Sequence, residues 1–373
     1  MTAAAPLRVV QVGAGAMGRQ WLKAVAANPD VELVGLVDLD VAAARAAVGE
    51  LADGAVAVGD DLDQILRATA ADAVVNVTVP PAHLPVSSTA LLAGCHVLCE
   101  KPAAPTVADA LRLAARAAVS GKLVMISQSR RYLPELTTLR DVADSLAPIG
   151  VVTTEFFKAP RFGGFREEMD HVLLVDMAIH SFDAARYLLG AEPVAVFCEE
   201  FNPPYSWYQG AANTVAVFEF EGGIRYVYTG SWCAEGLETS WNGEWRVSGA
   251  GGSAEWDGDA DVRAGRLGEP AGSAVEVTVD EPREIDGSLA EFVRSVRTGT
   301  VPASEVHENI TSLAMVEAAV RSAETGERVS IASVLADAQA VALADEPHDA
   351  VRRELASGAV ARLCAAAAER SRA

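Results

Sequence analysis

The first ordered pattern in the chain is Arg8-Val9-Val10-Gln11-Val12, a run rich in β-branched residues that breaks at Gly13-Ala14-Gly15-Ala16-Met17-Gly18 and gives way to a helix-like stretch over 19–27. It reads as strand, tight turn, helix. Asn28-Pro29-Asp30 stops that helix by turn chemistry, and residues 31–37 form a second strand closing on Asp38. Further helices are predicted over 41–51, around Gln64, over 83–93 and over 106–120, with strands over 72–79, 96–99 and 123–127. The run over 72–79 is nearly continuously apolar, as strands buried on both faces are. Strands alternating with helices through residues 7–127 predict a parallel sheet covered on both sides.

The rhythm changes after residue 128. A helix over 134–146, a strand over 151–157, an irregular stretch over 160–170 containing Gly163-Gly164, and a helix over 174–189 stopped by Gly190 are followed by strands near 194–201, 213–221, 224–232 and 240–248. Glu221-Gly222-Gly223 reads as a hairpin turn, so this second sheet is expected to be largely antiparallel. Helices over 288–297 and 305–324 precede an alanine-rich, mostly helical tail over 331–373, interrupted at Glu346-Pro347-His348. The expected division is a first domain over 1–127, a second over 128–331 and a helical C-terminal extension over 332–373.

Length and charge narrow the classes. At ~150 residues per domain, 373 residues make two or three domains. Fifty-one acidic against 30 basic residues leave a formal charge of −21, which repels nucleic acid and anionic membrane surfaces alike. The five cysteines, Cys95, Cys99, Cys198, Cys233 and Cys364, contain no CxxC pair, so neither a disulfide framework nor a metal site is expected, and a reducing cytoplasm is. The start has no basic cluster followed by an apolar stretch, and the weakly charged run over 73–95 is cut by Pro80, Pro81 and Pro85, so neither export nor membrane spanning is expected.

The glycine turn carries the first chemistry. In a Gly-x-Gly-x-x-Gly turn between strand and helix, the first glycine (Gly13) allows the tight turn, the second (Gly15) lets backbone approach a pyrophosphate, and the third (Gly18) lets helix pack on strand. Peptide N–H groups and the positive end of the helix then bind the anion without a basic side chain. Asp38, 20 residues after Gly18, can accept both hydroxyls of an adenosine ribose and repel a 2′-phosphate, which favours NAD over NADP, although Arg45 nearby softens that preference. Cys99-Glu100-Lys101-Pro102 follows the strand over 96–99 at the sheet edge where such folds bind ligands; Lys101 there either polarises a substrate oxygen or is a solvated partner of Glu100. Asp176, His180 and Asp183, spaced by four and three, share one helical face, either as an acid–base unit or as a histidine packed on the sheet. Asn202-Pro203-Pro204-Tyr205-Ser206-Trp207-Tyr208 offers flat apolar and polar surface side by side, read either as sugar-binding or as packing beneath a loop or at a subunit contact; Trp232, Trp241 and Trp245 read as sheet packing.

Together, the glycine turn, Val77-Thr78-Val79-Pro80-Pro81-Ala82-His83, Glu100-Lys101-Pro102 and Asp176-x-x-x-His180 resemble the Gfo/Idh/MocA oxidoreductases over roughly residues 7–331. The resemblance implies an α/β fold: an N-terminal Rossmann dinucleotide-binding domain and a C-terminal α/β domain with a large, mostly antiparallel open sheet that forms oligomer contacts, hence a homodimer or homotetramer. It makes Lys101 the catalytic-site lysine, His180 the acid–base histidine and Asp176 the aspartate that positions substrate and histidine. It places Thr78, Pro80 and His83 along the nicotinamide half of the cofactor and makes the Lys101-Pro102 bond cis. The expected cofactor set is Gly13, Gly15, Ala16, Met17, Gly18, Asp38, Thr78, Pro80, His83, Glu100 and Lys101. Asp170-His171-Val172-Leu173-Leu174 replaces glycines that often precede the family's aspartate and reshapes the substrate pocket; His171 is read as a surface-loop histidine ahead of a substrate contact.

The expected activity is reversible oxidation of a secondary alcohol on a sugar, cyclitol or related polyol, with His180 taking the hydroxyl proton, Lys101 holding the oxygen, Asp176 orienting the imidazole and hydride passing to NAD. The ammonium and the imidazole, far apart in sequence, are expected to meet at the redox face of the coenzyme. Two alternatives stand beside it: glycoside cleavage by transient oxidation and elimination, and a sensor that binds ligand without turnover.

Overall fold

The computed structural model describes residues 5–49, 56–269, 272–279 and 282–358; Cys364 and the end of the helix expected to reach Leu51 lie outside these. The described residues form two compact units that are not consecutive blocks: 5–129 with 282–310 and 338–358, and 130–279 with 311–337.

The first unit opens with β1 (Leu7–Val12), α1 (Ala16–Ala27), β2 (Val31–Val37), α2 (Val41–Gly49), β3 (Ala57–Gly59), α3 (Leu62–Thr69), β4 (Ala73–Asn76), α4 (Pro80–Leu92), β5 (His96–Glu100), α5 (Val107–Ser120) and β6 (Val124–Ser127). The six strands are parallel in the order β3-β2-β1-β4-β5-β6, with the reversal of direction falling between β1 and β4. Every residue of β4 and β6 is buried, which explains their unbroken apolar character. Helix ends follow local chemistry. Asp61 caps α3 by accepting the Gln64 N–H, Thr106 caps α5 by accepting the Asp109 N–H, and Gly121 closes α5 in the left-handed region at φ 66°. The apolar run over 72–79 is a strand only to Asn76; its last three residues form the loop into α4.

The second unit holds α6 (Pro134–Ser145), β7 (Ile149–Phe157), α7 (Ile179–Leu189), β8 (Pro193–Phe201), β9 (Asn213–Phe220), β10 (Arg225–Ser231), β11 (Glu244–Gly249), β12 (Gly252–Trp256), β13 (Val262–Arg266) and β14 (Ser273–Ala274). The chain then runs through α8 (Glu284–Thr298), α9 (Val306–Thr325), β15 (Val329–Ser330), α10 (Ile331–Asp345) and α11 (Asp349–Ala356). Nine strands form one sheet, β14-β13-β12-β11-β7-β10-β9-β8-β15, in which only β7 and β10 run parallel. In β9 the alternation is clean: Ala216, Phe218 and Phe220 point into the core and Val215 and Val217 outward. The inner face is aromatic, with Phe182 of α7 edge-on to Phe218 at 4.7 Å and to Tyr228 at 5.4 Å. The strand expected over 240–248 begins only at Glu244, because Ser240 to Gly243 turn back on themselves through the Gly243 N–H to the Ser240 carbonyl.

The tail is not a loose appendage. Its α11 packs on α5 of the first unit with Val351 and Leu355 buried. The fully buried Glu346 accepts from Arg112 Nε at 3.1 Å and Arg116 Nη2 at 2.8 Å. No helix among the described residues is long and apolar enough to cross a membrane.

Candidate active site

The glycine turn lies at the C-terminal end of β1, beside the reversal in strand order, where open α/β sheets bind ligands. Gly13 has φ +104°, and a Cβ there would stand 2.5 Å from the Val77 carbonyl oxygen, so only glycine lets the turn sit against the end of β4. A Cβ on Gly18 would meet the Gly13 carbonyl at 2.3 Å. Gly15 is different: a Cβ there meets no atom within 4 Å. The turn is tight on its protein side and open at Gly15, Ala16 and Met17, as a pyrophosphate cradle requires. Gly15 caps α1 without a side-chain acceptor, which leaves the N–H groups of the first turn to an approaching anion. The residues fit a bound dinucleotide.

Two side chains that the sequence did not single out brace this region, Gln11 the glycine turn and Asn76 the loop after β4. Buried Gln11 donates from Nε2 to the Gly13 and Gly18 carbonyls, both at 2.8 Å. Buried Asn76, the last residue of β4, donates to the His83 carbonyl and to Ser87 Oγ and accepts the Thr78 hydroxyl at 2.7 Å. Asp38 is placed by the turn itself, since its Oδ2 accepts the Ala14 N–H at 2.6 Å and its Oδ1 the Asp40 N–H. The carboxylate thus ties the end of β2 to the glycine turn, a role its spacing alone did not show.

Thr78, on the loop after β4, and Pro80, which opens α4, are partly exposed, whereas His83 is fully buried. Its Nδ1 lies 2.6 Å from the Pro102 carbonyl and its Nε2 3.0 Å from the Thr78 carbonyl, so the imidazole is a strut between the loop after β4 and the segment after β5. Burial lowers its pKa against the opposing pull of those two carbonyls.

Glu100 closes β5 with one oxygen on Trp21 Nε1 of α1 at 2.8 Å and the other on the Lys101 N–H at 3.0 Å. Burial raises its pKa, with the Trp21 bond and the neighbouring Lys101 working the other way. The contact pins the chain where Lys101 begins, and the Lys101-Pro102 bond is cis. The alternative of a solvated Glu-Lys pair does not describe Glu100. Cys99 just before it is buried, and burial pushes its thiol far up.

In the second unit the helix expected over 174–189 starts as a π-helical turn, Leu173–Ala178, that continues into α7. Such turns recur at functional sites. Asp176 lies in it, one turn before His180, and both are partly exposed. Asp183, expected on the same polar stripe, is instead buried in the helix layer. It takes Arg131 Nε and Nη2 bidentately, both at 2.7 Å, and Ser312 Oγ at 2.7 Å. Those core partners hold its carboxylate, whereas Asp176 and His180 are partly exposed, so Asp183 does not share their surface. Asp176 has a partner the spacing could not show, Arg166, whose Nε lies 2.8 Å from its Oδ2. His171 is half-buried: Nδ1 stands 2.6 Å from Glu200 Oε2 and Nε2 3.4 Å from Glu324 Oε1, so it is held between two carboxylates and is not a solvated loop histidine.

Comparison with known proteins bears on the family and the fold. Residues 7–128 match the family model for the oxidoreductase family, NAD-binding Rossmann fold, and residues 158–331 that for its C-terminal alpha/beta domain. An uncharacterized protein, y4oX, of Sinorhizobium fredii is 29% identical over 353 residues, 88% of this chain and 96% of that protein. Inositol 2-dehydrogenase 1 of Saccharopolyspora erythraea is 32% identical over 194 residues, but the match spans only 51% of this chain and 56% of that enzyme. An oxidoreductase from Agrobacterium radiobacter, solved in complex with NAD+, L-tartaric acid and magnesium, superposes with a TM-score of 0.80 at 16% identity over 88% of this chain and 99% of that one, a likeness of fold. The chain belongs to the Gfo/Idh/MocA oxidoreductases, with the family's NAD-binding Rossmann domain followed by its C-terminal α/β domain.

Proposed function

We propose that this chain oxidises a secondary alcohol of a sugar, cyclitol or related polyol, or reduces the matching ketone, with Lys101, Asp176 and His180 as its working side chains. The observation that carries the reading is the placement of Glu100-Lys101 at the end of β5, with β4 alone between it and β1 and its glycine turn, and held there by Trp21. The inositol dehydrogenase match supports the substrate class.

Bound NAD supplies the hydride acceptor. His180 takes the hydroxyl proton as the carbinol carbon loses hydride, and becomes imidazolium. Asp176, one turn back, stabilises that charge. Arg166 fixes the direction of the Asp176 carboxylate. Lys101 donates a hydrogen bond to the oxygen, which loses a proton on oxidation and develops negative charge in the reverse direction. We also infer a homodimer or homotetramer assembled through the outer face of the nine-stranded sheet, where Phe197, Val215 and Val217 are exposed.

The test is formation of NADH across a polyol and sugar panel, with NAD and NADP in parallel. Lys101→Ala and His180→Ala are expected to lose roughly 10²- to 10⁴-fold in turnover while retaining NAD affinity. Near-normal hydride transfer by both variants would refute the assignments. Sugar release with the cofactor recycled would replace the reading by oxidation and elimination.

A further inference from the structure

The second unit carries an aromatic cluster that the assigned chemistry leaves unused. Phe162 and Trp241, each about half exposed, stack at 6.4 Å between ring centroids with an interplanar angle of 29°. Buried Trp232 supports both, 6.3 Å from Phe162 and edge-on to Trp241 at 5.8 Å. Its indole N–H finds no acceptor among the described residues, an open donor within the cluster. Isolated exposed aromatics are ordinary; two stacked on a rigid base of sheet residues, beside a functional carboxylate, form a platform.

That platform is joined to Asp176. Arg166 holds Asp176 at 2.8 Å and lays its guanidinium over Phe162 at 5.4 Å and Phe165 at 4.9 Å. The shelf therefore begins one guanidinium's length beyond the carboxylate. A ring seated at Asp176 and His180 leaves the shelf to whatever is attached to that ring.

The charge around the shelf selects among possible ligands. Lys158 pairs with Glu238 at 2.6 Å, Arg161 with Glu235 at 2.7 Å and Arg166 with Asp176. These three cations are each matched by a carboxylate, and Arg130, the fourth, is engaged by the Trp241 carbonyl and Asn242 Oδ1, so a second anion would meet the rim's carboxylates before any unspent positive charge. Matched pairs still offer donors and acceptors to hydroxyls, and the flat rings offer apolar faces to the C–H side of a pyranose.

We propose that Phe162, Trp241 and Trp232 form a subsite for a second, uncharged sugar ring, so that the chain acts on a neutral glycoside and not on a free monocyclic polyol. The proposal rests on the polyol-oxidoreductase reading and specifies its substrate class.

The experiment uses the full chain saturated with NAD. Calorimetric titrations compare maltose, cellobiose, lactose and trehalose with glucose and galactose, while NADH formation is followed in parallel. At least one disaccharide is expected to bind tenfold or more tightly than its component monosaccharides. Phe162→Ala and Trp241→Ala are expected to erase that advantage and leave monosaccharide affinity unchanged. The milder Phe162→Leu and Trp241→Phe guard against misfolding, NAD affinity reports on the fold, and Leu267→Ala, at an exposed site at the far end of β13, serves as the unaffected comparison. Equal affinity for both classes, equal losses in the variants, or no binding of any sugar would overturn the subsite. Tighter binding of a disaccharide ending in glucuronic acid would overturn its neutrality. Disaccharide preference without NADH formation would keep the subsite and refute the redox reading; monosaccharide turnover without that preference would do the reverse.

Discussion

Gly15 and Gly18 stand three residues apart in one turn and do opposite things. A methyl group at Gly18 would press on the Gly13 carbonyl at 2.3 Å, whereas one at Gly15 would enter open space. Gly18→Ala is therefore expected to lose about 1–3 kcal/mol of stability in urea unfolding, the usual cost of overpacking. Gly15→Ala is expected to melt like the parent and to weaken NAD binding by about tenfold, a penalty of ~1.4 kcal/mol, as the backbone can no longer approach the phosphates. NAD titration checks it, and unchanged affinity in Gly15→Ala would mean the cofactor does not use the turn. The glycines and Asp38 were legible because the turn imposes their spacing. Gln11, Asn76 and Trp21 were not. Each acts through a contact with residues displaced in sequence or hidden by burial, Trp21 reaching Glu100 across 79 positions. Arg166 was missed for a related reason: nothing in a span of ten residues through a loop tells which carboxylate an arginine will meet.

At the scale of elements, the tail shows how one buried charge can dock a helix pair. Glu346 interrupts the alanine-rich pattern, which reads in sequence as a break with no chemistry. In the fold it is the hub on which Arg112 and Arg116 of α5 converge, with the His348 N–H as a further donor. Burial alone would raise its pKa; the His348 N–H and the two guanidiniums outweigh burial, and the pKa is lowered. A carboxyl whose folded pKa is depressed stabilises the fold above its unfolded value, ~4.3, and loses that contribution as pH falls through the folded value. Glu346→Gln is thus expected to cost about 3 kcal/mol at pH 7, because it leaves half-buried Arg116 without its carboxylate and Arg112 with Asp109 alone, and the gap to the parent is expected to close as pH falls below ~4.3 and through the lowered folded value. Urea unfolding at both pH values measures it. A gap that persists in acid would locate the effect elsewhere. The π-helical turn is the other element-level departure: a run of apolar residues around Asp176 predicts helix, but its winding depends on what packs around it.

At the scale of the whole molecule, the nine-stranded sheet has one face covered by helices and one that carries Phe197, Val217, Val227 and Thr153 in register across β8, β9, β10 and β7. If copies of the chain assemble through this face, Phe197→Glu is expected to shift sedimentation toward the monomer without lowering NAD affinity; an unchanged sedimentation profile would exclude the face. The amino-acid sequence by itself determined the alternation of strand and helix, the glycine turn and the change to antiparallel strands. Period and turn chemistry act between neighbours, so a linear pattern records them. Only the tertiary structure decided that Asp183 serves Arg131, that His83 braces two loops, that Asp176 answers to Arg166 and that the tail from Ala338 through α11 belongs with the first unit. The short strands β3, β12, β13, β14 and β15 were also missed. The reason is common to all: a side chain's partner is set by which surfaces meet after the backbone has folded, and that meeting leaves no local trace in the chain.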